Sequence, residues 1–382
     1  MRISRLVGCA ALMIAAGCSS YNPLKWAGII KDPENTPSPL TPVGSSVKVH
    51  SIWTATVGKA TVYALRPAIA GGRLYAASAE GVITVLQEDN GKPVASYDTK
   101  KPISGGVETD GSHLVVGTQK GEVLLLDMQG KVLWTALAGG EVLAPPTLTP
   151  LSVIVRIGDG RILAYSLADG KRRWVYQRTA PPLTLRSSAG VIPFNTDVIA
   201  GYAGGKLLAL DTADGKLTWE VTVSYPHGAT DLERIADIAG MPVINEASVC
   251  AATFHGKVAC FDLSTRDLLW AREISSTSDL AVDEHNLYVE DDTGAIQALD
   301  KKTGSSVWKT DKLKYRRLTS PVVFDGRIVV GDYEGYIHVF SPDDGAIVGR
   351  MATDKTAIVS LTAGLSALFA QTAGGQVVAI RY

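Results

Sequence analysis

Residues 208–221 read LALDTADGKLTWEV: an apolar run from Leu208 to Leu210, an Asp214-Gly215 turn signal, and Trp219 four residues after the glycine. An apolar strand, a tight turn that tolerates positive φ and a second strand bearing a large ring describe a β-hairpin. Close copies stand elsewhere, as LLLDMQGKVLWTAL at 124–137, LAYSLADGKRRWVY at 163–176 and QALDKKTGSSVWKT at 297–310. A hairpin that recurs is one part of an array, so the spacing of its copies decides the fold.

A glycine opening an apolar strand marks eight such units, at Gly81, Gly121, Gly160, Gly205, Gly256, Gly294, Gly335 and Gly375. The period is near 40 residues. Within one unit, SPVVFDGRIVVGDYEGYIHVFSPDDGAIVGRM at 320–351, three turn signals separate four short strands. A 40-residue period of four strands predicts a β-propeller. Strands such as EVLLLD at 122–127 are apolar throughout rather than alternating, so both their faces are covered, as between neighbouring blades. Trp134, Trp174, Trp219 and Trp308 share one place in the unit and are expected to fill the gaps between blades. Trp270 is in register although Arg266 stands where the turn glycine would be, and Ala95 and Gly349 hold the place without a ring. The last unit ends at Tyr382 without an outer strand, while VHSIWTATV at 49–57 has that strand's sequence. The reading is an all-β, eight-bladed β-propeller with four-stranded antiparallel blades over residues 47–382, closed by the N-terminal strand joining the last blade.

The N-terminus has the pattern of a targeting segment. Arg2 and Arg5 precede the apolar LVGCAALMIAAG, which is too short to span a bilayer. A small-residue cleavage site directly before Cys18 fits a lipoprotein signal over residues 1–17 with a lipid, such as palmitate, carried on Cys18; an ordinary secretory signal cut at the same residues is the alternative. No Asp follows Cys18, and by resemblance to lipoprotein sorting this points to the periplasmic side of the outer membrane. Residues 18–46 contain five prolines among polar residues and read as an extended tether. Its Trp26, Ile29 and Ile30 suit docking on the propeller or at the lipid surface. With 46% apolar residues and a formal net charge of −1, the chain shows neither the basic excess of a nucleic-acid partner nor an acidic disordered tail. After signal cleavage and lipidation only Cys250 and Cys260 remain. They flank the His255-Gly256 turn, so either a cross-strand disulfide or two small buried thiols fits.

Catalytic signatures are sparse. The six histidines are scattered, and no CxxC, His/Cys cluster, GxSxG elbow or phosphate-binding glycine loop is present, so no metal site and no catalytic residue is assigned. The Asp291-Asp292 pair reads as a solvated turn. Departures from the period are more informative. The connections after Trp174 and Trp219, QRTAPPLTLRSSAGVIPF at 177–194 and SYPHGATDLERIADIAGMP at 224–242, are longer than the others. They follow adjacent units, so they are expected to be neighbours on one face of the ring. Leu183, Leu185 and Arg186 on the first, with Asp231, Glu233, Arg234 and Asp237 on the second, make a candidate protein-binding patch. The alternative is that the leucines anchor the loop and Arg186 pairs with a local carboxylate.

The repeat form A-x-D-x-x-T-G-x-x-x-W, seen in ALDTADGKLTW and ALDKKTGSSVW, resembles that of quinoprotein dehydrogenases. Such enzymes also use calcium-binding carboxylates and commonly an adjacent cysteine pair, which this chain lacks. The signal, tether, eight repeats and the LTLR and ERIADI loops together resemble the BamB family of propeller lipoproteins in the outer-membrane β-barrel assembly machinery. The resemblance implies a non-catalytic scaffold without a cofactor. Its partners would be the periplasmic domains of the central barrel-inserting subunit, with unfolded outer-membrane proteins as further clients pairing at strand edges. It maps the contact residues to Leu183, Leu185 and Arg186, and the first acid of a following Asp-x-Asp loop to Asp237. The second acid falls on Ala239, where this sequence departs from the family pattern. A quinoprotein-like dehydrogenase or a small-ligand binder using the central channel is the competing reading.

Overall fold

Eight four-stranded antiparallel sheets account for the strands of the described residues. The structure is a computed structural model that describes residues 36–44, 46–179 and 181–382. The signal segment, Cys18, Trp26, Ile29 and Ile30 lie outside the described residues. Blade 1 begins at Ala68–Ala70 and blade 7 ends at Ile347–Ala352. Blade 8 combines Ile358–Ala363, Leu368–Thr372 and Gln376–Arg381 with His50–Thr56, which pairs antiparallel with the final strand. The ring therefore closes as the sequence predicts, and the edge of its final strand is paired rather than open.

In every blade the marked glycine precedes the third strand. First strands of neighbouring blades touch one another around most of the axis. Each blade is a meander, so turns between second and third strands emerge on the same face as the blade-to-blade connections, and turns between third and fourth strands emerge on the other. The second and third strands carry the core: Leu207, Leu208, Ala209 and Leu210 are all fully buried, as are Leu287, Tyr288 and Val289.

The tryptophans do more than fill space. Each ring lies on the third-to-fourth turn of the next blade, where the Trp53, Trp134, Trp174, Trp270 and Trp308 indoles donate to the carbonyls of Glu88, Leu167, Thr212, Lys301 and Pro342 at 2.7–3.0 Å. The ring faces Gly91, Gly170, Gly215, Gly304 and Gly345, and a Cβ added at any of these would come within 2.4–2.7 Å of it. The glycine is thus required twice, for a φ near 70° and for the close ring. Blade 5 departs from this pattern: Arg266 sits at φ 70° and lays its guanidinium 4.7 Å from the centre of the Trp219 ring, so a cation–π contact replaces the glycine stack.

Both positions without a tryptophan have a structural reason. Beyond Ala95, on the same face of the strand, Tyr97 packs over Gly130 and donates from its hydroxyl to the Met128 carbonyl at 2.8 Å. Beside Gly349 the neighbouring blade has no third-to-fourth turn to cap, because its fourth strand comes from the N-terminus. Val49 and the Val47 carbonyl lie there instead, and the Val47 amide donates to Val348 O at 3.1 Å.

The folded unit begins at Ser38, ahead of the boundary at 47 expected from composition. Its first residues run along blade 7. Arg316 and Arg350 donate to the carbonyls of Ser38 (3.1 Å) and Thr41 (2.7 Å), and Leu40 packs against the cluster around Tyr288 and Phe340. Behind them His338, Asp332 and Arg316 form a buried network. Arg350 Nε can only donate, so His338 Nδ1 accepts and Nε2 carries the proton toward Asp332. Burial pushes the His338 pKa down, with Asp332 offsetting part of the shift, and the ring is held neutral.

Cys250 and Cys260 are directly opposed across the second and third strands of blade 5, 4.0 Å apart at Cα, and are joined as a disulfide. Asp291 is not solvated as the sequence was read. It is buried, receives the Thr293 and Ala295 amides and pairs with Lys309 at 2.9 Å. It is one of six equivalent residues (Ser78, Thr118, Thr253, Asp291, Asp332 and Thr372) whose side chain accepts the amide four residues on and so closes the second-to-third turn.

Candidate partner-binding site

The two long connections meet. The first runs from the outer strand of blade 3, Arg172–Tyr176, to the inner strand of blade 4, Ile192–Phe194; the second runs from Leu217–Thr222 to Val243–Asn245. The Ser187 hydroxyl donates to Ala239 O at 2.8 Å, and the Leu185 amide donates to Asp237 Oδ2 at 2.7 Å. Asp237 Oδ1 accepts the Gly204 amide at 3.1 Å. A carboxylate receiving two backbone amides is held in one place and fixes whatever gave them.

Asp237 therefore does not present its carboxylate outward, as the partner-binding reading of the sequence had it. It is 4% exposed, lies beneath the first connection and anchors Leu185. Position 239, where the family pattern has a second acid, is buried alanine serving through its carbonyl. Leu183 and Arg186 are exposed, and Leu185 between them is half-buried. Arg186 ion-pairs with Glu141 Oε2 at 2.8 Å, from the connection before blade 3, and not with the acidic loop it was expected to face. Tyr63 donates to the other oxygen of Glu141 at 3.3 Å. The Arg186 side chain is 60% exposed, so the pair is worth at most about 1 kcal/mol and leaves the guanidinium available.

The second connection carries a one-turn element. Glu233 accepts the Ala229 and Thr230 amides while Thr230 Oγ1 accepts the Glu233 amide, a reciprocal cap that sequence reading took only for surface charge. It holds Asp231, Leu232 and Arg234 outward, and all three are exposed. Leu232 and Tyr225 are 64% and 75% exposed, so together with Leu183 the two connections display three large apolar side chains. Tyr225 and Leu232 were missed in the sequence because neither stands in the LTLR pattern.

Beneath Leu185 lies a cavity of about 50 Å³, walled by Arg156, Ile157, Tyr202 and Asp237. Near the axis, Arg66 and Asp279 form an ion pair between the connections leading into blades 1 and 6, which are not neighbours in the ring; the pair therefore reaches across the mouth of the channel. Two cavities of about 540 and 380 Å³ flank it, lined largely by first strands and the connections into them. Among the described residues no group of three or more His, Cys, Asp or Glu side chains is placed to hold a metal ion.

A closed ring of these repeats, with its longest connections locked together on one face, defines a quinoprotein-like β-propeller with a loop-built surface. A likeness to the quinohemoprotein alcohol dehydrogenase of Comamonas testosteroni reflects this ring alone: the TM-score is 0.68 at 11% identity, over 87% of this chain and 76% of that one. The chain belongs to the family described as outer membrane protein assembly factor BamB, which matches residues 79–310. It is 37% identical over 361 residues to the outer membrane protein assembly factor BamB of Burkholderia pseudomallei, covering 94% of this chain and 92% of that protein. To the Escherichia coli BamB it is 30% identical over 366 residues, covering 92% and 91%. The crystal structure of BamB from Moraxella catarrhalis superposes with a TM-score of 0.81 at 28% identity, over 87% of this chain and all of that one.

Proposed function

We propose that the chain is a non-catalytic scaffold lipoprotein of the outer-membrane β-barrel assembly complex, held by a lipid on Cys18 at the periplasmic side of the outer membrane. Its rim binds the periplasmic domains of the central barrel-inserting subunit through Leu183, Leu185 and Arg186. Asp231 and Arg234 stand at the edge of that surface, and Asp237 positions the loop from below. The observation that carries this reading is the junction of the two long connections, which fixes an exposed apolar and cationic surface on a rigid ring. Rigid presentation matters because a loop ordered in advance loses less entropy on binding.

Reversing the charge at exposed Arg186 tests the rim. Arg186→Glu breaks only an exposed ion pair, so the melting temperature should stay within a few degrees. Capture of the barrel-inserting subunit from detergent extracts should fall at least tenfold. Capture at the wild-type level by a normally folded variant would remove Arg186 from the interface. The anchor is tested separately. Cys18→Ala should move the protein from the membrane fraction to the soluble periplasm and abolish incorporation of radiolabelled palmitate. Membrane retention of that variant would sink the lipid assignment.

A further inference from the structure

Two residues of each repeat, four and three positions before the marked glycine, follow a pattern that blades 3 and 4 alone break at the second position and that blade 3 breaks at both. At the first position five blades carry Gly or Ala: Ala77, Gly117, Gly201, Ala252 and Gly331. The space is needed by the next connection; Val142, Ile238 and Ile358 lie 2.2–2.4 Å from where a Cβ would stand on Gly117, Gly201 and Gly331. Blade 3 has Arg156 there, blade 6 Glu290 and blade 8 Gln371, and of these only Arg156 is followed by a residue that does not close the turn. At the second position six blades carry the Ser, Thr or Asp that closes the turn, whereas blades 3 and 4 carry Ile157 and Tyr202. These departures converge on the small cavity under Leu185.

The cavity holds hydrogen-bond donors whose capacity is unspent. Tyr202 is 4% exposed, and its hydroxyl has no partner among the described residues. Arg156 donates once, to Ala189 O at 3.3 Å, lies over the Tyr202 ring at 5.3 Å and has no ion pair among the described residues. The other charges at the cavity are engaged: Arg178 with Glu220 at 2.6 Å, Asp159 with Arg161 at 2.7 Å, and Asp237 with two backbone amides. A buried phenol without an acceptor and a guanidinium that spends one donor call for a further acceptor, and the cation favours an anionic one. Burial drives the Tyr202 phenol well above its ordinary pKa, so it remains a donor.

We propose that this cavity is an anchor pocket for the carboxylate of one Asp or Glu side chain presented by the bound protein partner. The inference rests on the rim's being a protein-binding surface. A volume of about 50 Å³ admits a carboxylate group and little more, which disfavours a free metabolite. The exposed Leu183, Tyr225 and Leu232 on the same two connections suit a polypeptide around that carboxylate. The repeat has given up a turn-closing side chain in two adjacent blades, and the same two blades bear the long connections.

The test uses the full-length protein and the purified periplasmic domains of the barrel-inserting subunit, with affinity read by calorimetry. Tyr202→Phe removes only an unpartnered hydroxyl and should fold normally; Arg156→Gln removes the charge. Each should weaken binding about tenfold. Replacing the partner's surface Asp and Glu residues singly by Asn and Gln should reveal one carboxylate whose loss equals that of Arg156→Gln and does not add to it. Wild-type affinity for Tyr202→Phe and Arg156→Gln, with Arg186→Glu still impaired, overturns the pocket and leaves the rim standing. Wild-type affinity for all three overturns both. Saturable binding of acetate that Arg156→Gln abolishes, with partner affinity unchanged, reassigns the pocket to a small free anion and also overturns the proposal. If Arg156→Gln does not fold, Tyr202→Phe alone decides.

Discussion

Trp270→Ala should destabilise the propeller by about 3–5 kcal/mol, as measured by urea denaturation. The ring is 6% exposed, fills the space between blades 5 and 6 and stacks on Gly304. Its indole also donates to Lys301 O at 3.0 Å, and truncation leaves that carbonyl without the bond. Gly304 cannot fill the hole, since it has no side chain to move. Trp219→Ala should cost less. That ring is half-buried, and the long Arg266 side chain can settle into the vacated space. Equal losses at the two positions would show that the ring–glycine stack is not what seals one blade to the next.

Glu290→Gln should act in the opposite direction, stabilising the protein by roughly 3 kcal/mol at pH 7. Glu290 stands at the end of the second strand of blade 6, where most blades have Gly or Ala, and it is buried with the Ser278 hydroxyl donating to it at 2.6 Å. Burial, more than the neighbouring Asp291, raises its pKa from 4.5 to about 8. Between those values the folded chain keeps a proton that the unfolded chain has released. Raising the pH through this window therefore removes stability, and the loss is complete above about 8. Glutamine keeps the shape and a hydrogen bond to Ser278 but has no charge to bury. The difference between variant and parent should shrink toward zero at pH 4 and grow up to pH 8; a difference independent of pH would refute the burial argument.

The ring was legible because its determinants are local and repeated. The marked glycines, the Asp-Gly turns and the strand at 49–57 predicted eight blades and their closure, and each stands as read. The nearness of the two long connections followed from topology alone. What failed was the inference that the acids Asp291 and Asp237 face water, whereas Arg186, Asp231 and Arg234 are exposed as expected. Asp291 and Asp237 look alike in sequence to exposed turn acids, yet both are buried, because the backbone amides they accept come from turns whose depth no local pattern records. Tyr97 was missed because the ring was sought at a fixed offset, whereas strand geometry offers the same face again two residues later. The signal for Arg156 and Tyr202 was present. It required comparing the repeats position by position and asking where a small residue, or a turn-closing one, had been replaced.

The closing blade has a further consequence for how the protein is made. His50–Thr56 is the first of the described strands to be synthesised, yet its partner, Gln376–Arg381, is the last of them. The early strand must wait, unpaired, for nearly the whole translation of the chain. Loss of Gln376–Arg381 would leave His50–Thr56 without a partner and uncover one edge of Leu368–Thr372, so this strand acts as a check on completeness: a polypeptide that lacks it cannot shut its own circle.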